Sequence, residues 1–286
     1  MAKRVSNRIS SHRRFKMGRM RPVARCPRFS LRNYLMRNLP SPPTGCDYSA
    51  SASKALSEIY LNDTLGDCVI AGIGHVVGVL TGGAGKQYIY TNSQITQLYS
   101  AIGGYVPGKP GTDNGCDEQT ALNYWQQNGA PAGSHQIAGW ISVNGADPIE
   151  YRTALWLFEN LYFGIELPDK WVNPEPRGTG FTWDVAGAPD PNNGHCVVGV
   201  GYTAKGVRIC TWGMLGLLTD AAIAKYATKP GEGELYTVVS QDAINKAIAK
   251  APNGFDWSQL VADFDSMGGS VSMPTTVQIK SRREKE

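Results

Sequence analysis

Apolar residues fall in blocks along this chain, and the spacing inside each block predicts an element. The run Val69-Ile-Ala-Gly-Ile-Gly-His-Val-Val-Gly-Val-Leu80 carries no acid, lysine or arginine. Thr64 and Asp67 are N-cap types, so the run predicts a helix with Cys68 in or just before its first turn. Gly72, Gly74 and Gly78 each weaken such a helix by about 1 kcal/mol relative to Ala, which predicts a closely packed strand against it. Ser51–Leu61 predicts a short helix leading into the Cys68 turn, and Gly82–Gly85 ends the long helix. Gln87–Ala101 predicts another helix, with Ile95, Leu98 and Tyr99 on one side. A further helix starts near Asp113 or Asn114, has Asp117 and Glu118 in its first turn, and stops at Asn128-Gly129. Asp147–Phe158 predicts a helix with Ile149, Thr153, Trp156 and Leu157 near one face, followed by an alternating strand over Leu161–Leu167. His195–Tyr202 and Val207–Gly213 predict two strands joined as a hairpin through Thr203–Gly206. Lys170–Asn193 reads as a long loop whose Trp171 and Trp183 either line a cleft or fill the core. Thr219–Tyr226, Asp242–Ala249 and Phe255–Phe264 read as helices, and Glu234–Val239 as a closing strand. His75 is expected to be a hydrogen-bonded core histidine, and His135 has no assigned role.

One pair of positions carries candidate chemistry. A cysteine at a helix N-terminus faces free N–H groups and the positive end of the helix dipole, which lower a thiol's pKa. The same position also suits a buried, inert thiol. His195 opens a strand about 130 residues later, and such a cysteine and histidine can form a nucleophile–base pair. The stretch Asn62-Asp-Thr-Leu-Gly-Asp-Cys68, with Asn193-Gly-His195-Cys-Val-Val and Cys210-Thr-Trp-Gly213, resembles the papain-like cysteine peptidases, and its cysteine motif is most similar to the calpain variant. The resemblance runs from about Leu56 to Val239. It implies an α+β papain-like fold, with a helical half carrying Cys68 and an antiparallel β half carrying His195. It also implies Cys68 as nucleophile, His195 as base and Asn62 as the amide donor to an oxyanion. The family's orienting Asn maps onto Cys210, with Thr211 next to it, and neither residue is a side-chain amide. The overall layout looks most like uncharacterised bacteriophage and prophage proteins.

Composition changes this picture at the N-terminus. Residues 1–46 hold twelve Lys and Arg and no acid, so a net charge of +4 hides an acidic remainder. A basic arm of this kind reaches an anionic partner, either nucleic acid or the acidic face of a neighbouring subunit, or else is a solvated tail. Arg13, Arg14, Lys16, Arg19, Arg21, Arg25 and Arg28 are the expected contacts. Phe29, Leu31, Tyr34 and Leu35 give the arm apolar surface to dock on something, and Leu39–Thr44 forms a stiff, proline-rich spacer. The expected division is an arm over 1–46, a papain-like domain over 47–240, and C-terminal helices with a polar tail over 241–286.

The six cysteines show no Cys-x-x-Cys spacing, so free thiols in a reducing, intracellular setting are expected, with no metal and no cofactor. The chain starts without an apolar leader, so no secretory signal is expected, and no run is long enough for a membrane span. Two functions follow. One is a papain-like protein built into a larger assembly of the virion type, as a capsid accessory or decoration protein anchored by its arm. The other is an active cysteine peptidase or amide hydrolase.

Overall fold

The computed structural model describes residues 15–22 and 29–269. Arg13, Arg14, Arg25 and Arg28 of the expected arm contacts, and the polar tail Lys280–Glu286, lie outside the described residues. In chain order the elements are β1 (Cys46–Asp47), α1 (Ser53–Leu56), α2 (Cys68–Gly83), α3 (Asn92–Gly103), α4 (Glu118–Asn128), β2 (Gly139–Ser142), α5 (Pro148–Phe158), β3 (Leu161–Glu166), α6 (Asp169–Val172), β4 (Phe181–Trp183), β5 (Gly194–Thr203), β6 (Gly206–Thr211), β7 (Met214–Thr219), α7 (Asp220–Tyr226), β8 (Glu234–Val239), α8 (Gln241–Lys250) and α9 (Trp257–Ser266). The strands form one sheet in the order β2-β8-β3-β5-β6-β7-β4, with β1 added to β5. Its pairings are antiparallel except for β4 with β7.

The sheet separates two apolar cores, and strand periodicity distributes side chains between them. Phe163, Val197 and Leu235 enter the core shared with α5, α7, α8 and α9, whereas Tyr162, Val198 and Tyr236 enter the one built on α2 and α4. Strand β3 is therefore buried along its whole length. It is covered on both faces, so the alternation expected from sequence divides its side chains between two cores and not between core and solvent. Helix α2 lies across β5, and its glycines are where neighbours come closest. A Cβ on Gly72 would stand 2.8 Å from the Tyr162 ring and 3.0 Å from the Cys196 sulfur, and one on Gly74 would stand 2.7 Å from the Tyr60 ring. Strand residues approach at Gly72 as expected, while Gly74 and Gly78 admit Tyr60 and Ala55.

Capping explains most of the helix starts. Thr91 and Gln94 form a capping box, Asp147 accepts from the Ile149 and Glu150 N–H groups, and Ser240 accepts from Ala243. Several boundaries differ from the sequence reading. Helix α3 begins at Asn92 rather than Gln87, because Thr91 provides the cap and residues 87–91 approach it extended. Helix α4 is capped by Asp117, not Asp113 or Asn114. The helix expected over Ser51–Leu61 ends at Leu56, and the chain turns through left-handed Tyr60 and Leu61 into the Asn62 loop. Ile149 is 66% exposed, and α5 instead buries Tyr151, Ala154, Leu155, Leu157 and Phe158. The Lys170–Asn193 loop contains α6 and β4, and Trp171 stacks on Trp183 inside the core at 4.8 Å.

Residues 29–35 dock on the chain's own body. Leu31 and Tyr34 are buried, the Tyr34 hydroxyl donates to Asp263 at 2.6 Å, and Ser142 N–H donates to the Phe29 carbonyl. Among the described residues no helix is long and apolar enough to cross a membrane.

His75 is a fully buried imidazole 3.0 Å from the Glu58 carbonyl through Nε2, and burial lowers its pKa to about 4. Above pH 6.5 both folded and unfolded chains leave it neutral. Between 6.5 and 4 only the unfolded chain takes the proton, so this group withdraws stability as pH falls, at about 1.4 kcal/mol per unit. His75→Gln can still donate to Glu58 but does not titrate. Urea denaturation of both proteins should show the variant destabilised at pH 7, with its deficit shrinking by about 3 kcal/mol at pH 4. An unchanged deficit would contradict the buried, neutral imidazole.

Candidate active site

Cys68 is the first residue of α2, and His195 is the second residue of β5. Both are buried. The main-chain groups of Cys196, the neighbour of His195, and of Gly18 in the N-terminal segment lie near enough to the Cys68 sulfur to favour its thiolate. Helix α2 thus brings the thiol to the start of the histidine strand. On the other side of the imidazole, Nε2 lies 2.6 Å from the Thr211 hydroxyl, while Nδ1 is buried without a hydrogen-bond partner. Trp212 stacks on the ring at 4.4 Å, and Phe15 stacks on Trp212 at 4.7 Å. Trp212 holds a left-handed backbone (φ 51°), turning the chain directly after Thr211.

The electrostatics differ from the sequence expectation. Burial pushes the Cys68 thiol up to about 12, against the pull of those main-chain groups, and Glu118 and Asp67 raise it further. Burial pushes His195 down to about 3. The lowered thiol pKa expected at the helix start is absent in this state, because desolvation outweighs the dipole and the main-chain groups. Asp67, also fully buried, is pushed well above the usual carboxylate range, mainly by desolvation. Cys68 as thiol and His195 as imidazole are therefore both neutral here.

A segment of the chain itself lies over this site. Residues 15–22 run extended through the groove between the α2/α4 half and the sheet. Lys16 N–H donates to the Asn62 carbonyl, and the Asn62 side-chain amide donates back to the Lys16 carbonyl at 3.4 Å and to Leu65 at 3.1 Å. Cys116 N–H donates to Gly18, Met20 N–H to Cys116, and Arg19 N–H to Gly194 on the opposite wall. Gly18 is required at the crossing, since a Cβ there would collide with the Gly66 carbonyl. Three of the expected arm cations bind acids of the body. Lys16 pairs with Asp113 at 3.0 Å, Arg21 reaches both oxygens of Glu166, and Arg19 is buried between Glu118 and Glu234. Burial and the adjacent Glu234 push Glu118 up to about 8, against the opposing pull of Arg19.

Comparison with solved structures places this geometry. Xylellain, a cysteine protease from Xylella fastidiosa, superposes with a TM-score of 0.62 at 14% identity, over 80% of this chain and 97% of that one. Procathepsin L2 from the Tenebrio molitor larval midgut gives 0.51 at 11%, over 79% and 78%. The fold is papain-like. No protein-family model matches the sequence, and a comparison with curated proteins returns no match either.

Within the papain-like frame, the position after Cys210 is the one that meets the histidine. Cys210 turns away and its thiol donates to the Leu56 carbonyl at 3.3 Å, so Thr211 rather than Cys210 contacts His195. Asn62 reaches the groove, where its amide already serves two carbonyls. The sequence reading gives no site role to Glu118 or Glu234, and names Trp212 only as part of the Cys210–Gly213 motif. Glu118 was read only as a first-turn acid, although its place two residues after Cys116 puts it on the groove wall. Among the described residues all five cysteines are free thiols, and no group of His, Cys, Asp and Glu is arranged to hold a metal.

Proposed function

We propose that this protein is a papain-fold cysteine peptidase held latent by its own N-terminal segment. The observation that carries the reading is the course of residues 16–20, whose backbone hydrogen-bonds to Asn62 and Cys116 on one groove wall and to Gly194 on the other. A segment bound in this way occupies the place of an extended peptide. Once it leaves, water and substrate reach the thiol, the desolvation that holds it near 12 is relieved, and the start of α2 favours its thiolate. The Cys68 proton passes to His195 Nδ1, which faces no other partner, while Thr211 holds Nε2. The sulfur then bonds to the amide carbonyl carbon, with the Asn62 amide and the Cys68 N–H on the developing oxyanion. His195 returns the proton to the departing amine as the C–N bond breaks, and water hydrolyses the thioester.

The test compares full-length wild-type, Arg19→Glu and Arg19→Glu/Cys68→Ala chains on a fluorescence-quenched peptide mixture. Hydrolysis that appears in Arg19→Glu and vanishes when Cys68 is replaced supports the reading. An inactive Arg19→Glu chain with an alkylatable Cys68 would sink it.

A second reading is a component of a larger, virion-type assembly, anchored through its basic arm to neighbouring subunits or nucleic acid. It is favoured by the lack of a hydrogen bond to His195 Nδ1 and by a hydroxyl where an orienting amide would stand. That reading expects the full-length chain to co-sediment with particles and a Cys68→Ala chain to do so equally well.

A further inference from the structure

The pocket that Arg19 fills is built around a guanidinium. We infer that, once the N-terminal segment is displaced, this pocket selects an arginine side chain on an incoming peptide. The inference rests on the peptidase reading for its substrate but on the pocket's own geometry for its selectivity.

Three acceptors surround the planar group from three directions. Arg19 Nε donates to Glu118 Oε2 at 3.2 Å, Nη2 to Glu234 Oε1 at 2.6 Å, and Nη1 to the Glu232 carbonyl at 3.1 Å. Glu232 has a left-handed backbone (φ 55°). The two carboxylates are fixed by the body and not by the arginine alone. Glu118 begins α4 directly after its Asp117 cap, and its side chain rests on Gly164, where a Cβ would collide with it. Glu234 offers Oε1 to the arginine while Oε2 accepts from Gln119 Nε2 at 3.0 Å and from the Tyr236 hydroxyl. Glu118 is fully buried, and its Oε1 remains without a hydrogen-bond partner even with Arg19 in place. A pocket lined by these buried polar groups is costly to leave filled by an apolar one. A lysine ammonium is a point charge and cannot meet three acceptors spread around a planar fork. The main chain beside the pocket is equally prepared, since Cys116 and Gly194 hydrogen-bond to residues 18–20 through backbone groups alone, which any extended peptide possesses.

The experiment uses the full-length Arg19→Glu chain, in which a third carboxylate expels the segment. Gly18→Val serves as a second opened chain with the pocket untouched. Two labelled heptapeptides differing only in one central Arg or Leu are titrated by fluorescence anisotropy against the opened chain carrying Cys68→Ala, and are offered for hydrolysis to the opened chain with Cys68 intact. The expected result is a Kd at least about 100-fold lower for the Arg peptide, a matching preference in kcat/KM, and loss of most of that preference in Glu118→Gln/Glu234→Gln. Equal affinity for the two peptides overturns the inference, whether or not they are cleaved. Arg-selective binding without cleavage of either peptide supports the pocket and removes the peptidase reading. Unselective cleavage of both does the reverse.

Discussion

Replacing Arg19 with glutamate in the full-length chain is expected to raise the rate of Cys68 alkylation by iodoacetamide about a thousandfold at pH 7. With the segment docked, the thiol sits at about 12 and is buried. A thiol near 12 is ionised to the extent of roughly one part in 10⁵ at pH 7, whereas an ordinary cysteine near 8.5 is ionised to a few per cent. Relief of desolvation alone therefore accounts for about three orders of magnitude, and the start of α2 adds to it. The charge reversal supplies the displacement. It sets a third carboxylate beside Glu118 and Glu234 and removes the cation that both of them bind. Peptide mapping by mass spectrometry separates Cys68 from Cys116, Cys196 and Cys210, which lie buried on or behind the groove. Gly18→Val should act in the same direction, because its side chain meets the Gly66 carbonyl without touching the acidic pocket. A rate unchanged in both variants would mean that the segment does not control access to the thiol.

The parts of this site that were legible in the sequence are those governed by local rules. The Cys68 position follows from an apolar run behind a polar turn, and the hairpin of β5 and β6 follows from Gly206 between two β-rich runs. Helix α5 is announced by Asp147-Pro148, a cap followed by proline at the first helical position. Misreadings arose where tertiary contacts decide. Strand β4 is three residues long and exists because β7 pairs with it, which no pattern inside Phe181–Trp183 encodes. Ile149 looked like a core residue because of its type, yet α5 turns Tyr151 and Leu155 inward and leaves it in solvent. For the basic segment, sequence offers charge as the only guide to what it touches. Charge alone does not say whose acids answer it, and in residues 16–21 those acids include Asp113, Glu118, Glu166, Glu232 and Glu234 of the same chain. The choice between an activated and a buried, inert Cys68 is closed to local reading for a related reason. Dipole and cap are visible locally, whereas the segment that desolvates Cys68 lies some fifty residues earlier.

Arg19→Ala should cost about 3–5 kcal/mol of stability at pH 7, the range for removing one partner of a buried ion pair. The variant leaves Glu234 without its cation, beside a Glu118 carboxyl that burial already holds up to about 8, in a pocket where Glu118 is fully buried and Glu234 nearly so. Adding Glu118→Gln and Glu234→Gln should recover most of the loss, because amides carry no uncompensated charge, and a double-mutant cycle by urea denaturation reads the coupling. The loss also has a ceiling. If the segment leaves its groove, water enters the pocket and the carboxylates regain hydration, so the penalty cannot exceed the free energy with which residues 15–22 are docked. That ties the two experiments together. A thousandfold protection of Cys68 requires at least about 4 kcal/mol of docking, at 1.4 kcal/mol per tenfold, since a more weakly held segment would open often enough to expose the thiol. Arg19→Ala should lose no more than the docking free energy while its thiol becomes nearly as reactive as in Arg19→Glu. A loss beyond that docking free energy with Cys68 still protected would place Arg19 in the structural core of the domain instead of in a removable strap.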